Sequence, residues 1–380
     1  VSVSFDNGVT YVPVTGNTIS VPANTQSIKV QVATTDDALL EGPETIKLGA
    51  QTQYETSNTL AGTGTITDDA GPGIPGIPGA EDTVLVSIAG PASVVEGNKT
   101  TPYTITLTQA AASDVTVQLV YKGTATDGSD YSKVVSVTIP KGASSATFDL
   151  QTLDDKLVEG VENIQVSLGT ITGGGFEVIK ADPAKDSVTT NITDNDTSSL
   201  SITPALGDAS VSEGSAAVFT LTLSNPSATA TEVALNVLTG GSNTAVAGDV
   251  GALEYFNGTT WTPVVGGKIT IPANETSVQV RVPTTQDGVF EGKETFQLQA
   301  TVNGQTITGN GSIVDDGTGI VPPGQPGQPD NDQPKVASIG DASAVEGKEA
   351  LVFDVKLSNT STTPTTVTLN LQNGSGTVGV

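Results

Sequence analysis

Apolar and polar residues alternate one by one along short stretches of this chain. TVLVSI (83–88), YTITLT (103–108), VTVQLVY (115–121), VVSVTI (134–139), ATFDLQT (146–152), ENIQVSL (162–168) and SVTTNIT (187–193) all show it. A period of two puts successive side chains on opposite faces, which predicts half-buried strands. Turn-forming Gly, Pro, Asn and Asp separate them, and no segment holds a 3.6-residue period over a dozen residues. Seven short antiparallel strands of this kind predict a two-sheet β-sandwich.

Three motifs recur in fixed order. TTDDALLEGPETIKL starts at Thr34, TLDDKLVEGVENIQV at Thr152 and TTQDGVFEGKETFQL at Thr284. Their EG glutamates Glu41, Glu159 and Glu291 are 118 and 132 residues apart. ASVVEGN, ASVSEGS and ASAVEGK carry Glu96, Glu213 and Glu346, which are 117 and 133 apart. ITDDAG, ITDNDT and IVDDGT close successive units. The expected organisation is a C-terminal half repeat (1–70), a Pro/Gly linker (71–80), and complete repeats at 81–196 and 197–317. A second Pro/Gly linker (318–334) and an N-terminal half repeat (335–380) follow. FDNGVTYVPV (Phe5–Val14) matches FNGTTWTPV (Phe256–Val264), which places residue 1 inside a repeat, so a piece of a longer chain is expected. The linkers GPGIPGIPGA and GIVPPGQPGQPDNDQP predict semi-extended spacers, with a flexible hinge as the alternative.

Composition narrows the chemistry. Of 380 residues, 15 are Lys or Arg and 41 Asp or Glu, a net charge of −26. Such a surface repels nucleic acid and anionic membranes. Cys, His and Met are absent, which excludes disulfides, most transition-metal sites and Cys–His or Ser–His–Asp catalysis. No run of about 18 apolar residues predicts a membrane span. Aromatics are only 4%, which predicts small cores.

Oxygen is then the remaining ligand. DDxxxEGxE sets four carboxylates within nine residues of a turn. Like charges that close disfavour each other's ionisation, whereas Ca²⁺ takes six to eight oxygens. Strand alternation can bring this motif, the VEG glutamate and the terminal aspartates to one pole.

VEG, GTATDGSDY, DDKLVEGVE and ITDND in 93–196 resemble the Calx-β domain of sodium–calcium exchangers and many bacterial surface proteins. YFNGTTWTPV…ITIPANETSVQVRVPTTQD in 255–287 is similar to repeats of giant RTX adhesins secreted through type I systems. The resemblance implies an all-β fold of tandem immunoglobulin-like (Calx-β-like) antiparallel β-sandwiches in an elongated array. It implies calcium ligands at Glu96, Asp130, Asp154, Asp155, Glu159, Glu162, Asp194 and Asp196, with Asp127 competing with Asp130. In 197–317 it implies Glu213, Asp249, Asp287, Glu291, Glu294, Asp315 and Asp316, with Gln286 where the other complete repeat has Asp154. In the N-terminal half it implies Asp36, Asp37, Glu41, Glu44, Asp68 and Asp69, and in the C-terminal half Glu346.

The function expected is a calcium-stabilised extender of a secreted bacterial surface adhesin, supporting adhesion or biofilm formation at the cell surface. The alternative is a calcium-sensing module of a larger receptor or exchanger. The expected partners are neighbouring repeats, with the surface ligand held by other domains of the parent chain. No enzyme is expected. The two end halves could complete each other between molecules, or simply be two cut domains. Asp208 and Asp341 read as turn residues, and the aligned Tyr11 and Trp261 as edge or core aromatics. The sequons at Asn191 and Asn274 carry no weight.

Overall fold

The computed structural model describes residues 1–55, 60–68, 82–205, 210–372 and 374. Asp69, Asp208 and the 71–80 linker lie outside the described residues. Among those described there is no helix, and every regular element is a strand. The chain forms two compact units, Val1–Asp154 with Val161–Thr193, and Asp155–Gly160 with Asp194–Val380.

The first unit contains a sandwich. One sheet runs Ser145–Phe148, Tyr103–Leu107, Thr83–Ala89, Val178–Ala181. The other runs Ser136–Ile139, Val115–Gly123, Glu162–Gly173, Ser187–Thr193, Ser93–Val95. The alternation seen in the sequence is the alternation of burial: Val84, Val86 and Ile88 point inward from a strand whose intervening residues are half-exposed. Each such side chain contributes about 1.5–3 kcal/mol when fully buried. Tyr103 is fully buried, stacks on Phe148 at 5.0 Å, and shares a 2.5 Å hydrogen bond with Thr190 of the opposite sheet. Thr190 in turn donates to the Pro91 carbonyl at 2.7 Å, so no polar atom of this cross-sheet link is stranded.

Three strands go beyond the seven expected: Tyr131–Ser132, which pairs antiparallel with Gln151–Thr152, and two that pair in parallel. Val178–Ala181 lies along Thr83–Val86, and Ser93–Val95 along Asn191–Thr193. Both are short edge strands, below the length at which alternation is readable. The second one matters for the site. The chain leaves one sheet after Ala89, turns at Gly90 and enters the other. A Cβ on Gly90 would sit 2.2 Å from the Tyr103 ring, so the turn tolerates no side chain.

The second unit repeats the design. Leu200–Pro204, Ala216–Leu223, Ser277–Pro283, Glu254–Phe256 and Trp261–Pro263 form one sheet; Val211–Ser212, Gln305–Val314, Glu294–Val302, Thr231–Leu238 and Lys268–Ile271 form the other. Phe219 and Phe296 meet edge to face at 6.3 Å across the core. Val211–Ser212 again switches sheets and pairs in parallel with Ile313–Val314.

The spacer expected at 318–334 is bonded to this sandwich. Ser212 donates to the Ile320 carbonyl and Ile320 to the Ser210 carbonyl. The Gln325 amide both accepts from and donates to the Ala216 backbone, at 2.7 and 3.1 Å. A Pro/Gly composition sets stiffness, but the backbone partners waiting on the short edge strand decide where the segment lies.

In the N-terminal half, Ser2–Ser4 pairs with Val12–Pro13 as Glu254–Phe256 pairs with Trp261–Pro263. Its hairpin Glu44–Ala50/Leu60–Ile66 leaves Ile46 and Leu48 exposed. The C-terminal half pairs Val336–Ile339 with Val355–Leu357 and leaves Val352 and Phe353 exposed.

Candidate metal centre

The sheet switch brings the VEG glutamate beside the last strand of its own sandwich. Glu213 donates its N–H to the Val314 carbonyl at 2.9 Å, and Glu96 does the same to Thr193 at 3.0 Å. Gly214 and Gly97, both with positive φ, turn the backbone tightly over the central motif. A Cβ on Gly214 would meet Gln286 at 2.7 Å, and one on Gly97 would meet Asp154 at 2.9 Å. Gln286 therefore lies under Gly214 as Asp154 lies under Gly97.

The central motif is folded by its own aspartate. Asp287 Oδ1 accepts the Val289 N–H at 2.7 Å, as Asp155 accepts from Leu157 at 2.6 Å and Asp37 from Leu39 at 2.8 Å. Such a side-chain turn leaves the second carboxylate oxygen to point elsewhere. The Asp287 N–H then donates to Glu213 Oε1 at 3.0 Å. The terminal aspartate holds the next residues: Asp315, only 3% exposed, accepts from Glu291 N–H at 2.6 Å and Gly292 N–H at 3.1 Å. In the 197–317 repeat all three motifs are thus hydrogen-bonded together at one end.

The result in this repeat is two carboxylate groups. Asp249, Glu291 and Glu294 each offer an oxygen within 4.8 Å of the others, and so do Glu213, Asp287 and Asp332. A small polar cleft lined by Glu213, Asp249, Glu291, Glu294 and Asp315 joins the groups. None of these residues is in an ion pair among the described residues, whose bridges lie elsewhere. Burial, with the hydrogen bond and charge of Asp249 behind it, pushes Glu294 up to about 8. Burial and then the charges of Asp287, Asp330 and Asp315 push Glu213 up to about 7, against the Asp287 N–H, which lowers it. Glu291 rises from burial and the charges of Asp249, Asp287 and Asp315, and Asp332 from burial and Asp330 beside it.

Asp330 and Asp332 were missed in the sequence because they sit in the Pro/Gly linker. A signal was there: D330-N331-D332 repeats D194-N195-D196, and each stands at the same distance before the next strand, at Val336 and Leu200. The segment 317–329 is an insertion between Asp315 and this second acidic step. It returns to the pole through Gly317 N–H to Asp330 C=O at 2.6 Å and Asp332 N–H to Asp315 C=O at 2.7 Å. Asp316, expected as a ligand, belongs to neither group. Its carboxylate is bonded to Thr318, whose N–H and hydroxyl hold it below the usual carboxylate range.

The other candidates fall as follows. In the first unit Glu96 is buried, Asp154 is exposed and Glu162 opens its strand opposite Ile192. Asp130 accepts the Thr126 N–H at 2.5 Å, whereas Asp127 is bonded to Lys133 at 2.8 Å and is held low by it. In the second unit Glu159 N–H donates to Asp194 Oδ2 at 2.6 Å, and Asp196 N–H to Asp194 Oδ1 at 2.7 Å. In the N-terminal half Glu41 N–H donates to Asp68 at 2.5 Å, and Glu44 raises the Glu41 carboxyl most, ahead of burial, Asp37 and Asp68. Asp36 and Glu44 are exposed. Glu346 is exposed in a turn, and among the described residues no other candidate is grouped with it.

The residues fit a hard cation. Oδ2 of Asp330 and Oδ2 of Asp332 are buried without a hydrogen-bond donor. Two oxygen-only groups with no cationic side chain are the donor set of calcium rather than of a soft metal.

The LapA domain model matches residues 82–195, and the Calx-beta domain model matches residues 254–310. The sandwiches have a Calx-β-like, immunoglobulin-like fold. Among solved structures, an apo-form Calx CBD1 domain is 19% identical with a TM-score of 0.26, over 30% of this chain and 98% of its own. A CBD12 structure from a CALX protein is 13% identical with a TM-score of 0.26, over 59% of this chain and 83% of its own. The curated proteins give no match.

Proposed function

We propose that these Calx-β-like repeats are a calcium-stabilised extender of a secreted bacterial surface adhesin. The observation that carries the reading is the convergence of three sequence-distant acidic motifs, without a neutralising cation, at one end of the 197–317 sandwich. Asp249, Glu291 and Glu294 would hold one ion, and Glu213, Asp287 and Asp332 another. A bound calcium supplies charge compensation and cross-links the loops. The chain's own part is to fix those loops through Asp315 and to exclude water from the oxygens it buries.

Linkage sets the scale. A ligand at a thousand times its dissociation constant adds about 4 kcal/mol per site, against about 5–15 kcal/mol for a whole domain. A repeat with a small core would then fold firmly outside the cell, where calcium is millimolar, and poorly inside. The LapA model, named for a biofilm adhesin family, supports the surface location, and the role proposed is structural rather than catalytic. The rival is a sensing module, favoured by the Calx-beta match at 254–310. Calorimetry and small-angle scattering with calcium and with chelator decide. The extender predicts a rise in melting temperature and a stiffer particle at millimolar calcium. Saturation at submicromolar calcium supports the sensor, and indifference to calcium sinks both.

A further inference from the structure

The acidic loop of a repeat does more than carry carboxylates, because its apolar pair is hydrogen-bonded to a hairpin that belongs to the following repeat. Within the second unit this happens twice. Val158, just before Glu159, pairs in parallel with Ser227; its N–H donates to the Pro226 carbonyl at 2.9 Å, and its carbonyl accepts from Ala228 N–H at 3.0 Å. Val289 and Phe290, just before Glu291, pair in parallel with Thr360 and Ser361, and the Phe290 carbonyl accepts from Thr362 N–H at 3.0 Å. The receiving tips are LSNPSA (223–228) and LSNTST (357–362).

The asparagine of each tip fastens it to the chain leading out of the pole. Asn225 Nδ2 donates to the Thr197 carbonyl at 2.8 Å. Asn359 Nδ2 donates to Asp332 Oδ1 at 2.7 Å and to the Gly288 carbonyl at 3.3 Å. The preceding serines match as well: Ser224 accepts from Ser199 N–H, and Ser358 from Lys335 N–H, both at 2.9 Å. The first unit supplies the contrast. There the equivalent tip is LTQAAA (107–112), with Gln109 for the asparagine. The preceding acidic loop does not use it: Leu39 instead pairs in antiparallel fashion with Phe176, with Leu40 N–H to Gly175 C=O and Glu177 N–H to Ala38 C=O, both at 3.0 Å.

We propose that the Asn-x-Ser hairpin tip is the recognition element by which a repeat captures the acidic loop of the repeat before it, and that Asn359 ties this capture to the cation pole through Asp332. The first clause stands on the backbone pairing and the asparagine's bond to the exit segment, and the second rests on the calcium reading above. An amide on a short side chain reaches the exit segment and leaves the tip's backbone edge open to the loop. Glutamine is one methylene too long to keep both. Capture then adds a two-residue strand to the tip, a mode that needs no apolar patch.

Hydrogen exchange on the full chain tests this, with N225A and N225Q compared to the parent. Both variants should lose protection at residues 156–160 while Glu294–Val302 stays protected, which shows the sandwich folded. Unchanged protection at 156–160 in both overturns the recognition clause. For the second clause, calcium should slow exchange at Thr362 in the parent and not in N359A, with calcium uptake of both chains followed by calorimetry. Uptake without any change at Thr362 in the parent overturns the coupling. Absence of uptake removes the calcium reading and the coupling with it, whereas the Asn225 variants still decide the capture.

Discussion

The backbone N–H of Glu291 donates to the buried carboxylate of Asp315 at 2.6 Å, and the Gly292 N–H joins it at 3.1 Å. The same bond links Glu159 to Asp194 and Glu41 to Asp68. The terminal aspartate is therefore a positioning group that sets the EG turn before any ion arrives. Asp315→Ala strands two N–H groups, and with about 1–3 kcal/mol for each buried unsatisfied group it should cost about 2–6 kcal/mol in urea denaturation without calcium. A loss confined to calcium-loaded protein contradicts this role.

Metal-free stability should depend on pH in an unusual direction. Glu213 and Glu294 are raised to about 7 and about 8 in the fold from an unfolded value of 4.5. Between 4.5 and 8 the native state binds more protons than the unfolded state, so stability falls as pH rises through that window. After removal of divalent ions, the melting temperature should be higher at pH 5 than at pH 8. Both groups are only partly buried, which moderates the size of the effect.

Calcium should reverse that slope, because it competes with the same protons. Uptake by the 197–317 pole should release protons and tighten between pH 6 and pH 8. Calorimetry in two buffers of different ionisation enthalpy measures the release. Glu294→Gln should remove most of it.

Restoring the missing acid gives an opposing pair of effects. Gln286 lies where Asp154 lies in the other complete repeat, under a glycine of the VEG turn. Gln286→Asp should raise calcium affinity at this pole and lower the metal-free melting temperature. Movement of both in the same direction would rule out a charge-based account.

The core makes a prediction independent of metal. A Cβ on Gly311 would lie 2.3 Å from the Phe296 ring. Gly311→Ala should cost about 1–3 kcal/mol by overpacking, with calcium binding retained by whatever fraction is folded.

Much of this protein was legible in the sequence. Strands such as Thr83–Ala89 and Glu162–Gly173 announce themselves because one face is buried and a period of two is the only way to bury it. The three acidic motifs declared their equivalence by spacing, and Gln286 lies under Gly214 as Asp154 lies under Gly97. What the sequence could not decide was anything resting on partners far along the chain. Ser93–Val95 and Val211–Ser212 are too short to show a period, and they exist because a last strand offers them an edge. Asp332 reached the pole, and Asp316 left it, because the 317–329 insertion returns along backbone hydrogen bonds that composition does not encode. Local pattern determined which residues are strands and which are acids; the tertiary structure decided which acids share a space, since that depends on where the chain crosses from one sheet to the other.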